Sequence, residues 1–334
     1  MKNKVKINKE QCKKIGNIVK NYKFKPSFYK RELITFKADK ETKARTYLYA
    51  VAICHQTHTL INKKLNLKGW DYLSCVFINL AKNKSDLLNP ENLSSLSIKE
   101  LSNTLKKLFS DDNNPENCTL DRLPERAEFL IQTAKIIKEK YNNKITNLLK
   151  LSDGFLFNKS NGLYELLEEF PVYSDKLRKK STVFIKFLED AGLIEIKDPK
   201  NFVPVMDYHI QRVMLRTGCV EITDSSLQEK LINKEKIESD EEIRGSCVKA
   251  MKIISNISGF RITKLDDFFW SLGRSCCKEK TLCYDKECNK IPCTFESFVS
   301  LTSHDKCIFE EVCKGSMDEK YRKYWQPIVK THYY

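Results

Sequence analysis

The sequence lacks an apolar run long enough to span a membrane, so we expect no membrane partner for this chain of 334 residues. Its first residues are basic, but no apolar stretch follows them, which argues against a secretory signal. Alternating β-branched runs are few, and neither a βαβ rhythm nor an internal repeat is present. These absences predict an all-α, globular protein of the cytoplasm.

Acidic residues are too few to balance the basic ones. Lysine and arginine total 59 against 44 aspartate and glutamate residues, which gives a formal net charge of +15. This excess favours a polyanionic partner, nucleic acid first, although a lysine-rich genome gives the same composition. Hydrophobic residues make up 41% and charged residues 31%, as in soluble globular proteins, and the length allows two domains.

The 13 cysteines are unevenly placed along the chain. An intracellular protein of this size rarely needs disulfides, so a dense group of cysteines more often binds metal. Most of the six scattered cysteines are expected to behave as small buried hydrophobic residues. The dense group lies near the C-terminus and consists of Cys276, Cys277, Cys283, Cys288, Cys293, Cys307 and Cys313.

Helical periodicity dominates the remaining pattern. Polar segments at residues 111–117 and 223–242 are predicted to separate helices rather than form them. The predicted helices cover residues 45–65, 69–80, 97–109, 122–141, 163–170, 181–191, 244–255 and 265–273.

The segment that begins at Asp207 carries the clearest chemical signal. Ile210, Val213, Met214 and Thr217 follow at positions that share one face of a helix, which predicts that this face packs inward. Asp207 then stands at the N-cap, at the positive end of the helix. A helix cap with no further role is the simpler interpretation of this carboxylate.

Four landmarks together resemble the helix-hairpin-helix DNA glycosylases, the superfamily of endonuclease III and the mismatch adenine glycosylase. Asp207-Tyr208-His209 resembles the catalytic motif of that superfamily, Val-Asp-Thr-His. The others are Ile53-Cys54-His55-Gln56-Thr57, Lys179-Lys180-Ser181-Thr182, and the pair Leu272-Gly273-Arg274-Ser275-Cys276-Cys277 and Lys306-Cys307-Ile308-Phe309-Glu310-Glu311-Val312-Cys313. They occur in the order that the superfamily uses, over roughly residues 45–313.

The resemblance implies a two-domain, all-α helix-hairpin-helix glycosylase fold. Residues 44–192 would form a helical barrel domain with a degenerate hairpin. Residues 1–43 and 193–334 would form a second helical domain, which holds an iron–sulfur cluster loop, and the active site would lie in the cleft between the two. The implied protein is a nucleoid-associated monomer that binds double-stranded DNA.

The implied reaction breaks an N-glycosidic bond after the base has been flipped out of the helix. Positive charge develops on the sugar in the transition state, and a carboxylate stabilises it directly or through a water, which is the role expected for Asp207. Two of the expected contacts also have a simpler interpretation. Gln56 fits a polar residue on a helix surface, and His209 fits a structural position. The expected contacts to DNA or to the base are Gln56, His55, Lys179, Lys180, Ser181, Tyr208 and His209.

The residue after the hairpin decides the reaction type in that superfamily, where a lysine forms a Schiff base and cuts the strand. Aligning Gly192 with the glycine that ends the corresponding helix puts Ser181 there, which implies a monofunctional enzyme that uses water. Lys180 is one residue away, so a lyase remains open. The hairpin itself, residues 170–175, lacks the glycines of the superfamily. Side chains of Lys176, Arg178, Lys179 and Lys180 then supply the phosphate contact or form a solvated basic turn.

The cysteine spacing matches only in part. The start of the superfamily's loop is matched either by Cys276 and Cys283 or by Cys277 and Cys283. Its end is matched by Cys307 and Cys313. Four of these five thiolates are expected to hold a [4Fe–4S] cluster, with zinc as the alternative and a disulfide framework as the least favoured. The expanded middle of the loop carries Cys288 and Cys293.

These departures disfavour a plain relative of either enzyme and favour a modified or damaged base as substrate. A hypermodified cytosine of phage DNA would make the chain an antiviral defence enzyme, and base-excision DNA repair remains open beside it. Two alternatives remain. One is an N-glycosidase of a modified nucleoside or nucleotide, free or in RNA. The other is a DNA-binding protein without catalysis.

Overall fold

The computed structural model describes residues 4–112, 114–287, 292–301 and 303–334, and it is mainly helical, as predicted. No helix among these residues combines the length and the apolar character needed to cross a membrane. The strands are β1 (Val5–Ile7), β2 (Ile61–Asn62), β3 (Leu67–Lys68) and β4 (Val220–Ile222). The helices are α1 (Lys9–Val19), α2 (Glu32–Thr35), α3 (Lys40–Ala52), α4 (Trp70–Lys82), α5 (Pro90–Ser95), α6 (Ile98–Leu108), α7 (Leu123–Tyr141), α8 (Ile145–Ser152), α9 (Leu163–Glu168), α10 (Lys179–Asp190), α11 (Tyr208–Thr217), α12 (Ser225–Ile232), α13 (Glu241–Ser258), α14 (Ile262–Arg274), α15 (Leu282–Asp285), α16 (Thr294–Phe298), α17 (Lys314–Met317) and α18 (Glu319–Lys323).

The chain divides into two compact units. The first, here the α11 unit, comprises Met1–Tyr29 and Phe202–Lys330. The second, here the α3 unit, comprises Lys30–Asn201 and Thr331–Tyr334. Each unit therefore contains two separate stretches of sequence.

The α3 unit is built around a helix that is buried on all sides. Residues 46–52 of α3 are all buried, including two tyrosines, Tyr47 and Tyr49. A helix that is enclosed in this way must be surrounded by other elements, and α4, α7, α8 and α10 pack against it. The short pair of β2 and β3 is antiparallel and follows α3.

The α11 unit joins the start of the chain to its last third. β1 pairs antiparallel with β4, with Val5 opposite Ile222. α1 packs on α13 and α11 packs on α14. The contact of α1 with α13 is close at Gly16, where an added Cβ would lie 2.9 Å from the Ile257 side chain, so a larger residue would push the two helices apart.

Two predicted segments differ from the structure. The helix predicted over residues 45–65 ends at Ala52, because the chain turns there and Gln56 has a left-handed backbone, φ 46°. An α-helix cannot continue through such a residue. The polar stretch 223–242 contains α12, which was not predicted because only Leu231 of that helix is buried. Residues 170–175, which were predicted to form a degenerate hairpin, contain a 3₁₀ turn, Pro171–Tyr173.

Candidate functional site

Asp207 caps α11, as the spacing of apolar residues predicts. Its Oδ1 accepts a hydrogen bond from the Ile210 N–H at 2.9 Å, and the residue is 8% exposed. Val213 and Met214 of the same helix are fully buried, so the helix is fixed in place by its packing. The carboxylate is thereby held at the positive end of a rigid helix, where its negative charge is stabilised.

His209 is the second residue of the same helix and is half-buried. Its ring lies 4.2 Å from that of Tyr208, measured between centroids. Burial, together with the charges of Arg212, Arg274 and Lys278, holds the pKa of His209 well below its usual value. The imidazole is therefore neutral at pH 7 and can accept or donate a hydrogen bond without adding positive charge beside Asp207.

Glycine at position 273 allows α14 to pass directly against this part of α11. A Cβ at Gly273 would lie 2.8 Å from the His209 carbonyl oxygen, which is closer than a real Cβ contact. The sequence singled out Gly273 only as a marker of the cysteine loop. Its role in the structure is to let the backbone that follows approach His209.

Lys180 is the most unusual side chain of the α3 unit, because it is a fully buried lysine on α10. Its Nζ donates to the Ala52 carbonyl oxygen at 2.5 Å and lies 3.4 Å from His55 Nδ1. Burial lowers the pKa of Lys180 to about 7, and the nearby thiol of Cys54 opposes that shift only in part. A substantial fraction of this amine is therefore neutral near pH 7.

His55 links Lys180 to a carboxylate. It is fully buried, and its Nε2 lies 3.3 Å from Oε1 of Glu125, a half-buried carboxylate. Burial, reinforced by the charge of Lys180, holds the pKa of His55 far below its usual value. The structure thus aligns an amine, a neutral imidazole and a carboxylate, the three kinds of group that pass protons to one another in enzymes.

Gln56 follows His55 in a strained backbone conformation and is held by Arg122. Arg122 Nη1 donates to Gln56 Oε1 at 3.0 Å and to the Thr331 carbonyl oxygen at 2.8 Å. Both Gln56 and Arg122 have left-handed backbones, with φ of 46° and 53°. Such strain, about 1 kcal/mol or more for each residue, persists only where surrounding contacts enforce it and is common at functional sites.

The remaining predicted contacts on α10 are turned inward. Lys179 is 8% exposed, and its Nζ lies 3.5 Å from Cys54 Sγ. Ser181 is buried and donates to the Tyr173 carbonyl oxygen at 3.4 Å. Arg178 donates to the Tyr164 carbonyl oxygen and pairs with a glutamate. The burial of Lys179 and Lys180 does not fit a solvated basic turn at these two positions, and the predicted contacts of this segment to phosphate stay predictions.

The sequence analysis missed several residues of two loci, the one around Asp207 and the one around Lys180. Glu125 and Arg122 are three residues apart at the start of α7, a spacing at which opposite charges meet, and this was a readable signal. Phe129, which lies under the Lys180 ammonium group at 5.7 Å, gives no such signal. Neither does Arg212, whose contacts are all with residues distant in sequence or one turn away.

All five cysteines expected to hold a metal line one cavity of about 20 Å³ in the α11 unit. Burial raises the pKa of Cys307 well above its usual value and that of Cys313 to about 12, which favours neutral thiols. Over the described residues, however, no three His, Cys, Asp or Glu side chains are grouped so that they could hold a metal ion. This finding contradicts the prediction that the chain is metal-binding. Cys288 lies outside the described residues.

Comparison with protein families gives one match. Residues 54–293 match the sequence model of a family described as queuosine salvage protein. The match covers most of the chain and includes His55, Lys180, Asp207 and Gly273. No curated protein matches the chain.

This match overturns the resemblance to the helix-hairpin-helix DNA glycosylases. The short motifs that suggested it, such as Asp207-Tyr208-His209, occur in this chain within a different family. The predictions of DNA repair, base flipping and antiviral defence, which depended on the resemblance, fall with it. A role for DNA as the partner loses its support for the same reason.

Proposed function

The chain belongs to the queuosine salvage protein family, and we propose that it is an N-glycosidase that releases the modified base from a queuosine-type nucleoside or nucleotide. Queuosine is a nucleoside whose base, a modified 7-deazaguanine, is attached to ribose by an N-glycosidic bond. Recovering that base from the nucleoside requires this bond to be broken. The alternative that the sequence left open, an N-glycosidase of a modified nucleoside, is therefore the better supported one.

The observation that carries the proposal is the placement of Asp207. It is a nearly buried carboxylate, fixed at a helix N-terminus, in a chain of this family. When the bond between ribose C1′ and the base nitrogen breaks, its electron pair leaves with the base, and positive charge develops on the sugar. A fixed carboxylate stabilises that charge or orients the attacking water. The water oxygen then bonds to C1′, and its two protons end on the base nitrogen and on the new hydroxyl group.

The test is release of the free base. The protein is incubated with queuosine, with its 5′-monophosphate and with tRNA that contains queuosine, and free base is measured by liquid chromatography with mass spectrometry. Guanosine serves as the unmodified control substrate. The Asp207→Asn variant keeps the size of the side chain and removes its charge. We expect base release by the native protein and a loss of at least 100-fold in the variant.

Asp224→Asn is the matched control. Asp224 is also an N-cap in the α11 unit, and its Oδ1 accepts from the Leu227 N–H at 2.8 Å. Loss of a capping charge alone would act on both variants, whereas loss of catalysis would act only on Asp207→Asn. Equal activity of Asp207→Asn and the native protein would overturn the role of Asp207. Absence of base release from all three substrates would overturn the proposed function.

A further inference from the structure

Cys54 and Lys179 form a close pair of a thiol and an amine in the α3 unit. Lys179 Nζ lies 3.5 Å from Cys54 Sγ, although 125 residues separate the two along the chain. The next residue on each side makes a similar approach, since Lys180 Nζ lies 3.4 Å from His55 Nδ1. Two successive contacts therefore join the turn after α3 to the start of α10.

The backbone on both sides of this pair is held in place. The Lys179 N–H donates to Asp175 Oδ2 at 3.1 Å, and the Cys54 N–H donates to the Val51 carbonyl oxygen at 3.3 Å. The residue that follows each of the two is fully buried, and α10 packs directly on α3. The sulfur and the nitrogen can thus come together through small motions of their side chains alone.

Lys179 lacks the partner that a buried ammonium group normally has. The residue is 8% exposed, and a lysine this deeply buried is normally paired with a carboxylate. Among the described residues, no carboxylate forms an ion pair with Lys179 Nζ, and Cys54 Sγ is its hydrogen-bond partner. The amine is therefore directed at the sulfur and is not engaged by an acidic side chain.

Cys54 is accessible as well as close to the amine. It is half-buried, whereas other cysteines of the chain, such as Cys12 and Cys219, are fully buried. The susceptibility of a cysteine to oxidation depends on its exposure, and hydrogen peroxide is small enough to reach a half-buried sulfur. The first product is a sulfenic acid, which condenses with a thiol or, as a sulfenamide, with a nitrogen. Lys179 offers such a nitrogen.

We propose that Cys54 and Lys179 are a site of oxidative cross-linking, at which hydrogen peroxide joins the thiol to the amine by a sulfur–nitrogen bond. In the first step the sulfur attacks one peroxide oxygen, the O–O bond breaks, and a sulfenic acid and water are formed. In the second step the Lys179 nitrogen bonds to the sulfur, the S–OH bond breaks, and the hydroxide leaves as water with a proton from the amine. Sulfur loses two electrons and the peroxide gains them, so one peroxide gives one link and two waters.

The link fastens the residue before His55 to the residue before Lys180 and removes the positive charge of Lys179. It goes beyond the proposed base release and does not depend on it, because the link is detected in the protein itself. Reducing agents that contain thiols reverse a sulfenamide, so the modification is a reversible one.

The test is peptide mapping of the protein after exposure to hydrogen peroxide at neutral pH. The remaining thiols are blocked with iodoacetamide, the protein is digested with trypsin, and the peptides are identified by tandem mass spectrometry. We expect the peptide of residues 46–63, which contains Cys54, to carry residues 179 and 180. Its mass should be that of the two separate peptides less two hydrogen atoms, and dithiothreitol should separate them again.

Two variants and one internal control accompany the native protein. Lys179→Arg keeps the positive charge but replaces the amine by a guanidinium group that stays protonated, and Cys54→Ser removes the sulfur. We expect no link in either variant, and in Lys179→Arg we expect Cys54 to be oxidised further, to a sulfinic acid. Cys75 is the internal control, because it is also half-buried in the α3 unit but its Sγ contacts Asn79 Nδ2, at 3.7 Å, and not an amine. It should remain unlinked.

The proposal is overturned if Cys54 of the native protein is oxidised without a link to Lys179, or if it remains a free thiol after the exposure. A link that persists in Lys179→Arg also overturns it, because another nitrogen must then have reacted. If Lys179→Arg does not fold, the native digest decides alone, since the fragment ions of the linked peptide identify both residues. These outcomes leave the proposed function standing, because that function is tested separately by base release and Asp207→Asn.

Discussion

Replacing Lys180 with methionine should make the protein more stable at pH 7 and less stable at pH 10. In the folded protein, burial lowers the pKa of this amine from 10.5 to about 7. Between those two pH values the unfolded chain holds a proton that the folded chain does not, so this group makes stability rise with pH. At about 1.4 kcal/mol per unit, the shift of about 3.5 units makes burial of Lys180 cost roughly 4 kcal/mol at pH 7.

Methionine removes that cost but also removes a hydrogen bond. The Ala52 carbonyl oxygen, on a fully buried residue, accepts from Lys180 Nζ at 2.5 Å and would lose this donor. A buried acceptor without its partner costs about 1–3 kcal/mol. The net expectation is a variant that is more stable by about 1–3 kcal/mol at pH 7 and less stable by up to about 2 kcal/mol at pH 10, where roughly 1 kcal/mol of the burial cost remains.

The assay is the free energy of unfolding from urea titrations at pH 7, 8, 9 and 10, taken as the difference between variant and native protein. The difference cancels every other group that titrates in this range. Lys138→Met is the control, because Lys138 is 43% exposed and pairs with Glu91 on the surface. Such a pair contributes little, so its difference should stay below about 1 kcal/mol and not vary with pH. A difference for Lys180→Met that is the same at all four pH values would refute the neutral amine.

Three further substitutions test the packing around the two loci by thermal unfolding. Gly273→Ala should lower stability by about 1–3 kcal/mol, because its Cβ would lie 2.8 Å from the His209 carbonyl oxygen; unchanged stability would mean that the helices are further apart. Gln211→Met should raise it by about 1–2 kcal/mol, because neither amide atom of this fully buried residue has a hydrogen-bond partner among the described residues; a loss would show that the amide is satisfied. Tyr173→Phe should lower stability by about 1–2 kcal/mol, because the hydroxyl donates to the buried Leu48 carbonyl oxygen at 2.5 Å. Unchanged stability would show that this hydrogen bond does not stabilise the fold.

The sequence was sufficient to predict a helix and its N-terminus where the local signals agreed. Apolar residues spaced for one helix face and a capping Asp207 predicted α11 and its N-terminus, and both are present. Ser97 and Glu100 form the capping box at the start of α6 for the same reason, since a helix start depends on a few adjacent residues. Such features need no knowledge of the rest of the chain.

The sequence was insufficient where tertiary packing decided the outcome. Lysine is nearly always exposed, so nothing in the segment around Lys180 indicates that its amine is enclosed by α3 and α10. The end of α3 could not be located for a related reason, because the continuing periodicity to residue 65 gave no sign of the turn at Gln56. The hydrogen-bond partners of Arg212 are separated from it by up to 114 residues, so these contacts emerge only from the folded chain.

The resemblance to DNA glycosylases failed as a family assignment, and the reason bears on the size of the substrate. A carboxylate at the cap of a buried helix meets the requirement of N-glycosidic cleavage, which is the same whether the sugar belongs to DNA or to a free nucleoside. Gripping a duplex has requirements of its own, chiefly many exposed contacts to phosphates. Those are the features that this chain lacks at the expected positions, because the hairpin has no glycines and Lys179 and Lys180 are buried. The carboxylate that we propose to serve bond cleavage is present, and the exposed phosphate contacts expected for duplex DNA are absent at Lys179 and Lys180, which agrees with the proposal of a nucleoside or nucleotide as the substrate.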